Sequence, residues 1–153
     1  MAHTPVNHPL RPIYRIVGFI TGAYLVAFGI IGFITTSGED FTGPGVRALG
    51  QGSNMAWSIV SLALGAIVLL GTAVGRNIDV AIDQYLGWGL LVLGSYELCV
   101  LRTDDVNFFG FTMSTVIVTY IVGLLLITVS LYSKSAPKSQ AGAPRQVREG
   151  RTA

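Results

Sequence analysis

Four apolar runs, separated by short polar stretches, make up most of the chain. The first, residues 16–36 (IVGFITGAYLVAFGIIGFITT), contains no charged side chain. The fourth, residues 111–132 (FTMSTVIVTYIVGLLLITVSLY), is equally free of charge. Roughly 20 helical residues at about 1.5 Å each cover the bilayer's hydrocarbon core of about 30 Å, so each run can cross as one helix. The second run follows Ser53 and Asn54, either of which can accept from the unpaired amides of a first helical turn. The third opens with Asp79, Asp83, Gln84 and Tyr85, and Glu97 interrupts it near its far end. Tyr85 and Trp88 suit the headgroup layer, which puts that opening in the interface. This pattern predicts an all-α membrane protein, a four-helix transmembrane bundle with spans at about 13–36, 53–75, 80–101 and 111–132.

The polar stretches set the connections. Pro5, Pro9 and Pro12 restrict themselves and the residues before them, so residues 1–12 are expected to form an extended, exposed arm. Arg11 and Arg15 precede the first run, as basic residues precede the apolar region of a signal peptide. The run is too long for that and no small-x-small cleavage pattern follows, so a retained anchor is expected. Glycines at 38, 43, 45, 50 and 52, with Pro44, read as a loop over residues 37–52. Arg76-Asn77-Ile78-Asp79 leaves room for a tight turn only, which makes the second and third spans antiparallel neighbours. Residues 102–110 form a short acidic connection. Residues 133–153, rich in Ser, Ala, Pro, Gly and Gln, are expected to be a disordered, basic cytoplasmic tail.

Composition agrees with a membrane location. Of the 153 residues, 51% are hydrophobic and 12% charged, with mean hydropathy +0.60, whereas soluble domains carry about 25% charged residues. The formal charge of +2 does not point to nucleic acid. Five of the ten basic residues (Lys134, Lys138, Arg145, Arg148 and Arg151) lie in the tail, with no aromatic side chain between them. The basic residues also orient the chain. The N-terminal segment, the second connection and the tail together carry eight Lys and Arg, and the first and third connections carry two. The positive-inside rule then places both termini in the cytoplasm, with the chain multi-pass in the cell membrane.

Helices in lipid associate through close backbone approach and interhelical hydrogen bonds. Gly18 and Gly22 stand four apart on the first span, Ser61 with Gly65 and Gly71 with Gly75 on the second, and Thr115, Thr119 and Gly123 on the fourth. These stripes are expected to join helices, either within one chain or between copies. A shift of 65 residues also lays Gly22–Gly29 (GAYLVAFG) over Gly87–Gly94 (GWGLLVLG) and Glu39-Asp40 over Asp104-Asp105. Two hairpins related by an axis along the membrane normal would produce such a match. The second and fourth spans need a different offset.

Candidate chemistry is sparse. Glu97 is the one ionisable residue that the pattern puts well inside a span, where a carboxylate costs roughly 2.5–3.5 kcal/mol at the helix centre. It lies four residues before Leu101, about 6 Å from the span's outer end, close enough to reach the interface or pair with Arg102. An interface-pinning Glu97 is therefore favoured over a working one. A proton-coupled transporter would need a second polar group at similar depth, and the other spans offer hydroxyls only, such as Tyr24, Thr119 and Tyr120. Asp104 and Asp105, with Glu39 and Asp40, would face outward and can hold a divalent cation if the two connections meet. Solvated loop acids are the simpler reading.

His3 and His8 lie in the arm, away from every span, which excludes bis-histidine haem ligation. There is no phosphate-cradling glycine loop with a lysine and no His-containing triad. Cys99 is the single cysteine, so neither an intrachain disulfide nor a thiolate cluster can form. No catalytic residue, cofactor or metal site is expected.

Four segments carry a resemblance: His3-Thr-Pro-Val-Asn-His-Pro-Leu-Arg-Pro-Ile-Tyr-Arg15, Asn54–Gly65, Thr103-Asp-Asp-Val-Asn-Phe-Phe-Gly-Phe111 and Gly123-Leu-Leu-Leu-Ile-Thr-Val-Ser-Leu-Tyr132. Together they resemble an actinobacterial integral membrane family catalogued as a domain of unknown function (DUF 4383). The resemblance covers nearly the whole chain except the tail and implies four spans. It implies no activity. The Asp-Asp-Val-Asn spelling is one residue longer than the family pattern. Histidines carried by some branches in the second and fourth spans are missing here, so no role of theirs transfers. The expected protein is a structural or accessory component of the membrane, packing with itself or with a larger complex in the lipid bilayer. The alternative is a small transporter or channel-like oligomer using Glu97.

Overall fold

A computed structural model describes residues 6–137. Residues 133–136, expected as the start of a disordered tail, are instead held by hydrogen bonds to Asn7, Arg11 and Asn77. His3, the tail cations beyond Lys134 and residues 138–153 of the tail lie outside the described residues. Within them the chain forms helices α1 (Arg11–Thr35), α2 (Met55–Val74), α3 (Ile78–Val100) and α4 (Met113–Tyr132). Each helix end falls within two residues of the bound expected from hydropathy. Local chemistry explains the starts. Pro12 occupies the first turn of α1, where its missing N–H costs nothing. Asn54 caps α2, its Oδ1 accepting from Trp57 N at 2.9 Å. Thr112 and Thr115 form a reciprocal capping box on α4.

The first connection is more ordered than a loop. Strands β1 (Val46–Ala48) and β2 (Gln51–Ser53) pair antiparallel, Ala48 opposite Gln51, around a two-residue turn. Leu49 and Gly50 both have positive φ, 49° and 79°, the handedness that matches strand twist in a type I′ turn. The hairpin and the α3–α4 connection close that end of the bundle together. Gly43 N donates to Phe108 O at 3.0 Å, and Gly52 N to Thr112 Oγ1 at 2.9 Å. A Cβ on Gly52 would stand 2.3 Å from Gly110 O, so only glycine permits the approach. Aromatic packing lies beneath, with Trp57 edge-on to Phe111 at 5.1 Å.

The opposite end is also laced. The expected exposed arm is instead anchored: Val6 is buried, and Asn7 Nδ2 donates to Ala136 O at 2.8 Å. Asn77, left-handed at φ 67°, exchanges bonds with the backbone of Ser135 from the turn between α2 and α3. Among its described residues, Val6 and Asn7 are drawn in because Asn7 bonds the chain just after α4, Pro9 and Leu10 stay exposed, and Arg11 and Pro12 already belong to α1.

Helix α1 packs most closely on α2, and α3 on α4. The pairs meet across Leu25, Val68, Leu90, Val122 and Leu126. Glycine sets both close seams. A Cβ on Gly65 would stand 2.6 Å from Val26 N and 2.8 Å from Gly22 O, and one on Gly87 would stand 2.9 Å from Gly123 O. Gly18 and Gly71 admit Val129 and Ile82 in the same way. Gly75 is an exception to the expected stripe. It ends α2 with φ 65° and meets only the Arg15 guanidinium.

The two halves repeat these contacts. Gly22 faces Leu69 as Gly87 faces Ile127, and Gly29 faces Leu62 as Gly94 faces Tyr120. α1 maps onto α3 by 65 residues and α2 onto α4 by 58, and the second offset also superposes the caps Asn54 and Thr112. The longer first connection, with its hairpin, accounts for the difference.

Helices α1, α2 and α4 are long and apolar enough to cross a membrane. Asp79, Asp83, Gln84 and Glu97 keep α3 out of that group.

Candidate functional site

The acidic residues of α3 share one side of it, whereas Gln84 and Ser95 are exposed. Asp79, Asp83, Gly87, Leu90, Gly94, Glu97 and Val100 recur every three or four residues and are all buried, which defines one inward face. Tyr85, Trp88, Val92 and Tyr96 occupy the opposite, exposed face. The carboxyls therefore share the seam that packs against the other helices.

This corrects the expected setting of Glu97. The side chain is 0% exposed. Its Oε1 accepts from Thr119 Oγ1 at 3.1 Å, and its Oε2 has no partner. Arg102 is exposed and forms no ion pair with it among the described residues. The direction of helical side chains gives the reason. Each Cα–Cβ bond leans toward its helix's N-terminus, so Glu97 points away from Arg102 and the C-terminal end of α3.

Asp79 and Asp83, expected in the interface, are buried as well, at 2% and 1% exposure. Arg15 Nε lies 3.4 Å from Asp79 Oδ2, and Arg15 Nη2 donates to Thr72 O. The ion pair is long and lacks hydrogen-bond alignment, so it balances charge without satisfying the carboxylate oxygens. Asp83 Oδ1 has no partner. Its Oδ2 would be 3.6 Å from a Cβ on Gly18 and the Thr72 hydroxyl 3.9 Å from it, so the glycine leaves room for a polar cluster. Of the three buried carboxyls, only Asp79 has a cation beside it among the described residues.

A second polar group sits near the hairpin end of the bundle. Tyr24, Gln51, Ser61 and Thr119, with Leu25, Phe28, Trp57 and Leu90, line a cavity of about 20 Å³. Gln51 Nε2 reaches down from the hairpin to donate to the Tyr24 hydroxyl. Ser61 Oγ is buried without a partner. One water needs roughly 10–15 Å³ and two to four polar neighbours, so the cavity suits a single water and excludes an organic solute. Thr119 touches both this cavity and Glu97. Leu90 lies seven residues from Asp83 and seven from Glu97, about 10 Å either way. The apolar cluster around it fills the level between the two polar groups.

The α1–α2 and α3–α4 connections meet, as a shared cation site would require, but through the backbone of Gly43 and Phe108. Glu39, Asp40, Asp104 and Asp105 stay exposed, and no three His, Cys, Asp or Glu side chains gather among the described residues. Arg15, Gln51, Ser61 and Thr72 belong to the polar groups without having been singled out for them. The spacing of Asp79 and Asp83 with the Gly87–Gly94 seam was the one signal that could have placed those two acids inside.

Fold and site together define a helical bundle of membrane type, with three helices suited to crossing and a fourth that carries its acids inward. Comparison of the chain with protein-family models, curated proteins and solved structures found no match.

Proposed function

We propose that the chain is a four-pass cell-membrane protein with both termini in the cytoplasm. In this reading it acts as a structural or accessory component, packing with itself or with a larger membrane complex. One observation carries the accessory role: the polar space inside the bundle is too small for a solute, while the large groove between α1 and α4 is apolar and lies at the surface. The polar cavity at Ser61 has the volume of one water, and that groove, of about 350 Å³, is lined by the exposed Ile20, Ile121 and Leu125 with Tyr24 and Val118. What the protein offers to other molecules is therefore its outer surface. The apolar outward face of α3, Tyr85 through Tyr96, supports α3 as the remaining span, because its acids face protein rather than lipid. The resemblance to the DUF 4383 family is consistent with four spans.

The test is purification of the full chain from native membranes in a mild detergent. A fixed stoichiometry with itself or with defined membrane subunits is expected. A lone chain at every protein-to-detergent ratio would contradict the accessory role. A second reading, proton or cation translocation, is favoured by the unpaired oxygen of buried Glu97. It requires that Glu97→Gln abolish a flux measured in vesicles containing the purified protein.

A further inference from the structure

At the end of the bundle where α1 begins and α4 ends, α1 and α2 flank an open groove of about 360 Å³. It is lined by Arg11, Pro12, Arg15, Ile16, Phe19 and Thr72. Arg11 and Arg15, four residues apart, lie on one side of α1. Each guanidinium is held from behind. Arg11 Nε donates to Ser133 O at 2.8 Å, while Arg15 is fixed by Thr72 O and Asp79. The two terminal nitrogens of Arg11, and Nη1 of Arg15, make no protein contact of this kind among the described residues. Among the described residues Asp79 pairs with Arg15 and no carboxylate pairs with Arg11, so Arg11 presents an unpaired positive charge to the groove. The other walls are apolar, and Ile16 and Phe19 are 57% and 54% exposed toward the outside of the bundle.

We propose that this groove binds the headgroup of an anionic phospholipid of the inner leaflet. The phosphate lies against the Arg11 and Arg15 guanidiniums, and the glycerol and upper acyl carbons rest on Pro12, Ile16 and Phe19. The proposal rests on the membrane reading and its orientation. Guanidinium groups bind phosphate oxygens through paired N–H donors, and arginines already held in place lose little freedom on binding. Basic pockets between spans on the cytoplasmic side are suited to such headgroups. A zwitterionic lipid offers the same phosphate but brings an ammonium group toward Arg11, so net lipid charge decides the preference.

The experiment titrates the full chain, in detergent, with phosphatidylglycerol or with phosphatidylcholine of equal chain length. Native mass spectrometry reads the bound lipid. Phosphatidylglycerol is expected to bind more tightly, and Arg11→Gln to weaken it roughly fivefold, the equivalent of about 1 kcal/mol, without changing phosphatidylcholine. Arg15→Gln also disturbs Asp79, so the pair Arg15→Gln/Asp79→Asn is the companion variant, and the same weakening is expected. Equal binding of the two lipids, or an Arg11→Gln protein that binds as the parent does, overturns the proposal. Displacement of the lipid by an equal concentration of inorganic phosphate overturns it too, because the apolar walls would then contribute nothing. Release of the chain from membranes without detergent would instead overturn the membrane reading, and that is seen at extraction, before any lipid is added.

Discussion

Thr119 supplies the one hydrogen bond that Glu97 makes, and that pairing sets what substitutions there do. Removing one partner of a buried bond costs about 1–3 kcal/mol, because the group left behind stays desolvated. Thr119→Val should therefore lower thermal stability in detergent, whereas Glu97→Gln, which keeps an acceptor and removes a charge, should not. A Thr119→Val protein as stable as the parent would show that the bond does not hold the carboxyl. Arg15 and Asp79 behave as a pair in the same assay. Arg15→Gln leaves a buried carboxylate without its cation, a loss of roughly 3–5 kcal/mol, and Arg15→Gln/Asp79→Asn should recover most of it. Glu97 was legible in the sequence as the residue to watch, but its surroundings were not. Position along a helix gives distance from the end, while the direction a side chain takes depends on which face packs.

Among elements, the helices were legible and the hairpin was not. Long apolar runs carry their own length and caps. A pair of three-residue strands has too few positions to show alternation, and Leu49 occupies a turn position where Asn or Asp would have signalled it. Leu49 holds φ at 49°, which costs an L-residue about 1–2 kcal/mol, so Leu49→Gly should stabilise the protein unless the leucine side chain is needed for packing at the tip. Leu49 is 54% exposed, so a gain is expected in thermal unfolding. On α3, two neighbouring glycines separate packing from propensity. A Cβ on Gly87 would stand 2.7 Å from Ile127 Cγ1 and 2.9 Å from Gly123 O, whereas one on Gly89 meets nothing within 4 Å. Gly87→Ala should therefore loosen the α3–α4 seam and lower stability. Gly89→Ala should raise it by up to about 1 kcal/mol through helix propensity. Equal responses would mean that the seam is not glycine-limited. The same seam shows why the repeat was only half legible: α1 and α3 share spelling, while α2 and α4 share contact positions occupied by different residues, Leu62 with Tyr120 and Leu69 with Ile127.

For the whole molecule, the central question is whether α3 crosses the membrane. Its sequence is the least apolar of the four helices, yet its acids all face inward and its exposed face, Gln84 and Ser95 apart, is apolar and aromatic. Averaged hydropathy cannot register that segregation, because it sums both faces. The proposed arrangement puts the turn between α2 and α3 on the side of the termini and the connection between α3 and α4 on the other. Single cysteines placed by Asp40→Cys, Arg76→Cys, Asp105→Cys and Lys134→Cys in a Cys99→Ser background report this directly in intact cells. With a membrane-impermeant maleimide, positions 40 and 105 should label from outside, and positions 76 and 134 only after the membrane is opened. Labelling of 76 and 105 from the same side would show that α3 does not cross, and would contradict the four-span bundle.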